Sequence, residues 1–374
     1  MSRLGAFLQD VGDTLLRMVP HRAPTGLVPI GRPGRDAPVL VTGNYTLTVR
    51  RLRRALAGHD VWLLCADSRG INVWCASGGG HFTHHDVIAA MRSSRLEQRV
   101  DHREVVLPQL CATGVERRRI EEATGFLARW GPARLEDLPA FLARGRRVVQ
   151  RERVMRFPLG ERLEMAAAWG WVLLAIALGL AWGLVGAAAA VAVGVAVVTA
   201  VAGLYAAVPR AHLAGRGRWA VFAGFAALGA ALGSVTLVLG QATGVAGLLS
   251  VVAAPFAVVA LLGLDFEGTT PWYASALAEV GRAEVELVED RCSGAAACVQ
   301  VCPRGVLAMD GRRRKVRIAE PGACIRCAAC IVQCPEDALR FRFDDGRVAE
   351  ATTIRRTRLN MLGKRTVELR KREE

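Results

Sequence analysis

Apolar and polar positions along the chain fall into three regimes. Through residues 36–145 short apolar runs alternate with helical stretches. Residues 38–42 read as a strand, 49–57 as a helix, 61–67 as a buried strand and 86–98 as a helix. Residues 104–107 read as a third strand, 115–123 as a helix, 125–130 as a fourth short strand and 135–143 as a helix. Strands alternating with helices predict βαβ units, hence an α/β domain on a parallel sheet. Residues 1–35 show little periodicity and much Pro and Gly, so they read as an irregular lead-in with one short amphipathic helix at 4–18.

The second regime, 165–265, is almost wholly Ala, Val, Leu and Gly. Two apolar blocks, 165–208 and 219–264, each hold two stretches of about 20 residues, the length that spans a hydrocarbon core of about 30 Å. Breaks at 183–186 and 240–244 give spans near 166–184, 187–207, 219–239 and 245–264. A basic linker at 146–164 leads in, a linker at 266–284 leads out, and a basic tail fills 351–374. Arg151, Arg153, Arg156 and Arg162 precede the first span and Arg210, Arg216 and Arg218 separate the second from the third, while the other two turns carry no charge. By the positive-inside rule this predicts a multi-pass protein of the cell membrane with both soluble parts in the cytoplasm. The first residues are too polar and interrupted for a signal peptide. No charged residue lies within the spans, so anchoring in membrane lipid is the expected role rather than an ion path.

Charge changes little else. The net +15 is spread over several Arg clusters with no interleaved aromatics, so nucleic acid is not an expected partner.

Cysteine spacing sets the chemistry of the third regime, 285–350. Seven of the ten cysteines lie between 292 and 334. Residues 298–309 align without gaps on 330–341, sharing both cysteines, the proline after the second and a leucine. Each copy predicts half of an α+β two-cluster ferredoxin, in which C-x2-C-x2-C holds one cluster and the cysteine before proline crosses to the other. Cys324, Cys327 and Cys330 with the crossing Cys302 give four thiolates and a [4Fe–4S] cluster. In the other copy Ala295 stands where its partner has Cys327, leaving Cys292, Cys298 and the crossing Cys334. That set predicts a [3Fe–4S] cluster, or a [4Fe–4S] cluster with one iron open to water or a non-cysteine ligand.

The remaining chemistry centres on residues 70–80, Gly-Ile-Asn-Val-Trp-Cys-Ala-Ser-Gly-Gly-Gly, directly after the strand at 61–67. A strand that ends in a glycine-flanked turn is where an open α/β sheet binds its ligand. Cys75 there reads either as a small buried hydrophobe or as a ligand at a binding edge. His81, His84 and His85 follow closely, and read either as solvated surface histidines or as metal ligands. Cys65, inside an apolar strand, reads as structural, and Cys111 sits in a turn near the same edge.

Residues 41–48 (Val-Thr-Gly-Asn-Tyr-Thr-Leu-Thr), 70–76, His102-Arg103, 107–110, Gly131-Pro132 and 137–139 together resemble the corrinoid protein of microbial mercury methylation, which is itself similar to the corrinoid domain of the corrinoid iron–sulfur protein of acetyl-CoA synthesis. That resemblance implies an α/β corrinoid-binding domain in which Cys75 is the lower axial ligand of cobalt. Asn72, Val73, Trp74, Ala76 and Gly78 would line the helix against the ring. It further implies a methyltransferase-like protein that takes a methyl group from a donor protein or methylated pterin and passes it on. The fused ferredoxin, fed by an electron donor, would reduce the corrinoid. Two other readings are a membrane-bound electron-transfer protein without methyl transfer, and mercury methylation itself. Ser77, Gly78 and Gly79 replace the family's continuation with its lysine, and no cysteine follows Cys334. Those departures point away from mercury and leave corrinoid and cluster binding in place.

Overall fold

The computed structural model describes residues 3–16, 19–210, 217–241, 244–269 and 283–358. It divides into two compact units, Met1–Val19 with Arg156–Phe266, and Pro20–Met155 with Glu267–Glu374.

Along the chain, α1 (Arg3–Leu15) comes first. The α/β part follows as β1 (Gly26–Ile30), β2 (Val39–Gly43), α2 (Thr46–Ala55), β3 (Val61–Ala66), α3 (Val73–Gly78), α4 (His84–Ser93), α5 (Leu96–Arg99), β4 (Glu104–Leu107), α6 (Arg117–Thr124), β5 (Leu127–Trp130) and α7 (Leu138–Ala143). Four long helices come next, α8 (Leu159–Leu184), α9 (Ala187–Ala207), α10 (Arg218–Leu239) and α11 (Val245–Thr269). The last part holds β6 (Ala283–Leu287), α12 (Ala297–Val301), β7 (Leu307–Asp310), β8 (Lys315–Ile318), α13 (Ala329–Val332), β9 (Leu339–Phe343), β10 (Val348–Ala349) and α14 (Ala351–Arg356).

The five-stranded sheet has the order β1-β3-β2-β4-β5. The four strands expected from the sequence are parallel, whereas β1 runs antiparallel to β3, with Gly26 opposite Cys65 and Ile30 opposite Val61. The sheet is therefore mixed rather than parallel, and the lead-in is not irregular throughout. Pro29 and Gly26 made β1 look like loop, but an edge strand tolerates proline because its outward N–H has no partner to lose. β2 is buried along its whole length at the centre.

The stretch 146–164 is structured rather than a free linker. Glu152, only 3% exposed, pairs with Arg144 and accepts from the Val149 N–H at 3.2 Å, and Gln109 Nε2 donates to Arg153 O at 2.7 Å. Helix α8 has already begun at Leu159.

In the other unit the four helices match the expected spans and are long and apolar enough to cross a membrane. Small residues set their packing. A Cβ on Gly229 of α10 would lie 2.2 Å from Ala196 O of α9, and one on Gly233 would lie 2.8 Å from Ala192 O. This small-xxx-small pairing lets the backbones touch. Apolar side chains also face outward, Trp182 at 70% and Leu239 at 79% exposure among them. Arg162 at the start of α8 donates to the last carbonyls of α9, 3.1 Å to Tyr205 O and also to Ala206 O. Helix α1 lies on α8, where Trp171 Nε1 donates to Leu15 O at 2.7 Å.

The final part pairs β6 with β9 and β9 with β10, beside the hairpin β7–β8. Arg340 on β9 sits opposite Glu286 on β6 and holds it at 2.6 Å, and reaches Glu350 at 2.7 Å. The start of the basic tail is part of the fold: α14 buries Ala351 and Ile354 completely in the core of this part. The rest of the tail, and most of the linker at 266–284, lie outside the described residues.

Candidate functional site

The C-terminal ends of β2, β3 and β4 build the first site. In this order β2 connects onward to β3 on one side and β4 to β5 on the other, so the strand order reverses at β2, where ligands of α/β sheets bind. Asn44, just beyond β2 and 3% exposed, organises the loop that follows β3. Its Oδ1 accepts the N–H groups of Ser68 and Gly70 at 2.8 and 3.1 Å and the Ser68 hydroxyl at 3.2 Å. Gly43 is required beneath that loop, because a Cβ there would lie 2.5 Å from Ser68 Oγ.

The loop delivers Asn72, which caps α3 by accepting the Cys75 N–H at 3.0 Å. The cap fixes the first turn and with it the direction of Cys75. Trp74, Ala76, Ser77 and Gly78 are buried, while Val73 and Cys75 are half-buried against the same core. The other side of α3 rests on the turn after β4 (Gln109–Thr113): a Cβ on Gly114 would lie 2.3 Å from Ser77 O. Three polar atoms around this contact, Ser77 Oγ, Gln109 Oε1 and Thr113 Oγ1, are buried with no hydrogen-bond partner. Buried orphans of this kind mark a place where a bound group supplies the partners. A polar, amide-bearing macrocycle stacked on α3 fits that need.

The other cysteines of this domain do not join the site. Burial pushes the Cys65 thiol up to about 11 and Cys111 well above the thiol range, and both are fully buried, so neither is reactive. The three histidines do not converge on one point. His84 Nδ1 lies 3.8 Å from Glu116, its ring lies tilted against His85 with centroids 4.2 Å apart, and burial followed by the neighbouring His85 lowers its pKa.

The second site is the cysteine repeat. Cys292, Cys298 and Cys334 line one cavity together with Ala295, and Cys302, Cys324, Cys327 and Cys330 line another. The two halves use the same backbone: left-handed conformations recur at Gly294 and Arg326, at Ala296 and Ala328, and at Gly305 and Asp337. Matching backbone N–H groups reach sulfur, Val306 to Cys302 Sγ at 3.3 Å and Ala338 to Cys334 Sγ at 3.2 Å. Such bonds tune a cluster's potential. Burial, then the Cys334 and Cys292 sulfurs, push Cys298 up to about 12. Burial, then Cys302, Cys327 and Cys324, push Cys330 well above the thiol range. Thiols crowded in this way ionise only when a cation shares the cavity, which an iron–sulfur cluster provides. Among the described residues no three Cys, His, Asp or Glu side chains gather as a single-ion site requires, so both cavities suit a cluster better than zinc. The site with three cysteines opens to solvent, since Ala295 is exposed where its counterpart Cys327 is 8% exposed.

The two sites share one unit and one core. Val301, Ile325, Cys327 and Ala329 pack in the same apolar cluster as Trp74, Cys111 and Ala112. Polar contacts cross as well: Arg153 Nη1 donates to Gln300 O at 2.8 Å and the Met155 N–H to Pro303 O at 2.9 Å. Gln333 bonds the turn after β4 through its side-chain amide. Sequence reasoning missed this interface. Its one signal is a break in the repeat, where Gln333 occupies the place that Val301 has in the first copy.

Comparison with known proteins agrees with this division. Residues 17–142 match the CO dehydrogenase/acetyl-CoA synthase delta subunit family and residues 284–335 match the 4Fe-4S dicluster domain family. The acetyl-CoA decarbonylase/synthase complex subunit gamma of Methanopyrus kandleri is 35% identical over 125 residues, 33% of this chain and 27% of that one. The corresponding subunit of Archaeoglobus fulgidus is 33% identical over 115 residues, 30% of this chain and 24% of that one. The corrinoid/iron-sulfur protein large subunit of Moorella thermoacetica is 28% identical over 125 residues, 33% of this chain and 28% of that one. The chain thus spans about a quarter of the length of these relatives. They carry the likeness to the corrinoid iron–sulfur side of the resemblance.

Proposed function

We propose that this chain is a membrane-anchored corrinoid iron–sulfur protein that accepts a methyl group and passes it on, with its own ferredoxin part as the reductant. The observation that supports it most is the shared core of the Cys75 domain and the cysteine repeat, which would hold a one-electron donor beside the candidate corrinoid face. A bound corrinoid would supply the cobalt that takes up and releases the methyl group. Cys75 would give a thiolate ligand to that metal, and Asn72 would hold that residue's backbone. Trp74, Ala76 and Gly78 would keep α3 flat and dry beneath the ring, with Val73 at its edge. Ser77, Gln109 and Thr113 would bond its polar periphery. Cys302, Cys324, Cys327 and Cys330 would hold a [4Fe–4S] cluster, and Cys292, Cys298 and Cys334 a cluster with one iron lacking a cysteine. The four apolar helices would anchor the chain in lipid with both soluble parts in the cytoplasm, within reach of a methyl-donor protein or methylated pterin.

Purified chain is expected to show corrinoid absorption in the visible, lost in Cys75→Ala while the cluster absorption stays. Cluster absorption alone, unchanged by the substitution, would mark an electron-transfer protein without methyl transfer.

A further inference from the structure

Gln333 follows α13, the helix that carries Cys330, and its side chain leaves the cysteine repeat altogether. Its Nε2 donates to Ala112 O at 2.8 Å and to Val115 O at 2.7 Å, and its Oε1 accepts the Arg117 N–H at 3.3 Å. Three of the four hydrogen-bonding positions of the amide are thus spent on one loop of the other domain. That loop is the one on which α3 rests, with Gly114 so close to Ser77 O that no side chain fits between them. From Gln333 the link to Cys75 therefore runs through this loop and its close contact with Ser77, two residues from Cys75.

A second arm braces the same place. Arg355 donates to Cys334 O at 3.0 Å, to Val332 O at 3.3 Å and to Asp337 at 2.6 Å, and lies 3.7 Å from Glu116 beside the loop. The apolar side of the dock belongs to one half of the repeat only in its cysteines: Cys327, with Ile325 and Ala329, packs with Trp74 and Ala112, while exposed Ala295 marks the half with three cysteines as open to solvent. Duplication alone would put a buried apolar side chain at 333, as Val301 is in the first copy, where it joins the shared core without a polar bond; the amide at 333 is specific to the copy that carries the complete cysteine set.

We infer that Gln333 is a positioning residue for electron delivery: it registers the four-cysteine site against the loop beneath the Cys75 helix and leaves the three-cysteine site as the face that meets an external one-electron donor. One electron enters from that donor and one leaves to the corrinoid metal, so the iron–sulfur part ends each turn unchanged. The inference rests on the corrinoid reading above.

The test uses the full chain in lipid nanodiscs, as wild type, Gln333→Met and Gln333→Glu. The first variant keeps the shape without the bonds, and the second cannot donate to two carbonyls. Amide hydrogen exchange at residues 112–117 should quicken at least tenfold in both. Stopped-flow reduction of the corrinoid should slow at least tenfold, while the low-temperature EPR signals and midpoint potentials of both clusters stay as in wild type. Unchanged exchange in both variants, or faster exchange with an unchanged reduction rate, overturns the inference. Variants with altered cluster potentials also overturn it, since the slower rate would then have another cause. A wild-type chain without corrinoid absorption sinks the functional reading itself and the delivery role with it, and the exchange result still reports separately whether Gln333 holds the loop.

Discussion

Ala295 and Cys327 stand at equivalent places in the cysteine repeat, on backbones that turn left-handed at the same flanking positions. The loop around Ala295 thus keeps the form of a ligand loop while lacking the ligand. Ala295→Cys should supply the missing thiolate. The variant should hold about eight iron atoms per chain, and any three-iron EPR signal of the oxidised wild type should be absent from it, because each complete set of four cysteines holds a cubane. A variant with the same spectrum as wild type would show that position 295 is not where the missing ligand belongs. On the other site, Asn72→Ala removes the acceptor for the Cys75 N–H. Loss of a helix cap of this type costs about 1 kcal/mol. A lowered thermal midpoint together with a shifted corrinoid absorption is expected in Asn72→Ala, and Asn72→Asp, which keeps the acceptor, should restore both.

Among elements, strands β2 to β5 and the four long helices are legible because each carries an apolar pattern of its own. β1 is not, since Pro29 and Gly26 break its pattern and only its place at the sheet edge makes them harmless. The cysteine sets could be read from spacing, but the dock could not, because Gln333 and Ala112 meet only when two distant segments fold together. The same holds for the pair on β6 and β9. Burial alone would raise the Glu286 carboxyl, yet its bonds to Arg340 and Arg342 outweigh that and hold its pKa below the usual 4.5. A carboxyl lowered in the folded state stabilises above its unfolded value and loses that contribution as pH falls through its folded value. The acid limb of the melting curve should therefore flatten in Glu286→Gln, compared with wild type below about pH 4.5; parallel curves would show that the pair adds nothing. In the helical unit, Gly229→Leu must push α10 away from Ala196. Overpacking of this kind costs about 1–3 kcal/mol, seen as a lower melting temperature in detergent.

For the whole molecule, connectivity constrains topology more firmly than charge does. One compact unit is assembled from Pro20–Met155 and from Glu267–Glu374, so the chain must leave that unit, pass through the apolar helices and come back to it. A chain that crosses a bilayer an odd number of times cannot do this. Four crossings can, and they agree with the Arg residues before α8 and between α9 and α10. If the four helices cross a bilayer as proposed, the dock at Gln333 has a cellular consequence: it forms only if an even number of them insert. Green fluorescent protein fused after residue 214 or after the last residue is expected to fluoresce, and alkaline phosphatase fused after residue 186 or 243 is expected to be active. Deleting α11 alone should send the cysteine repeat to the opposite side. The cytoplasmic pool would lose the iron–sulfur part, and amides 112–117 would exchange as in the Gln333 variants, although no residue of the Cys75 domain had changed. Retention of protected amides in that deletion would show that the loop is ordered without its partner, and that the membrane helices do more than bring the two segments back together.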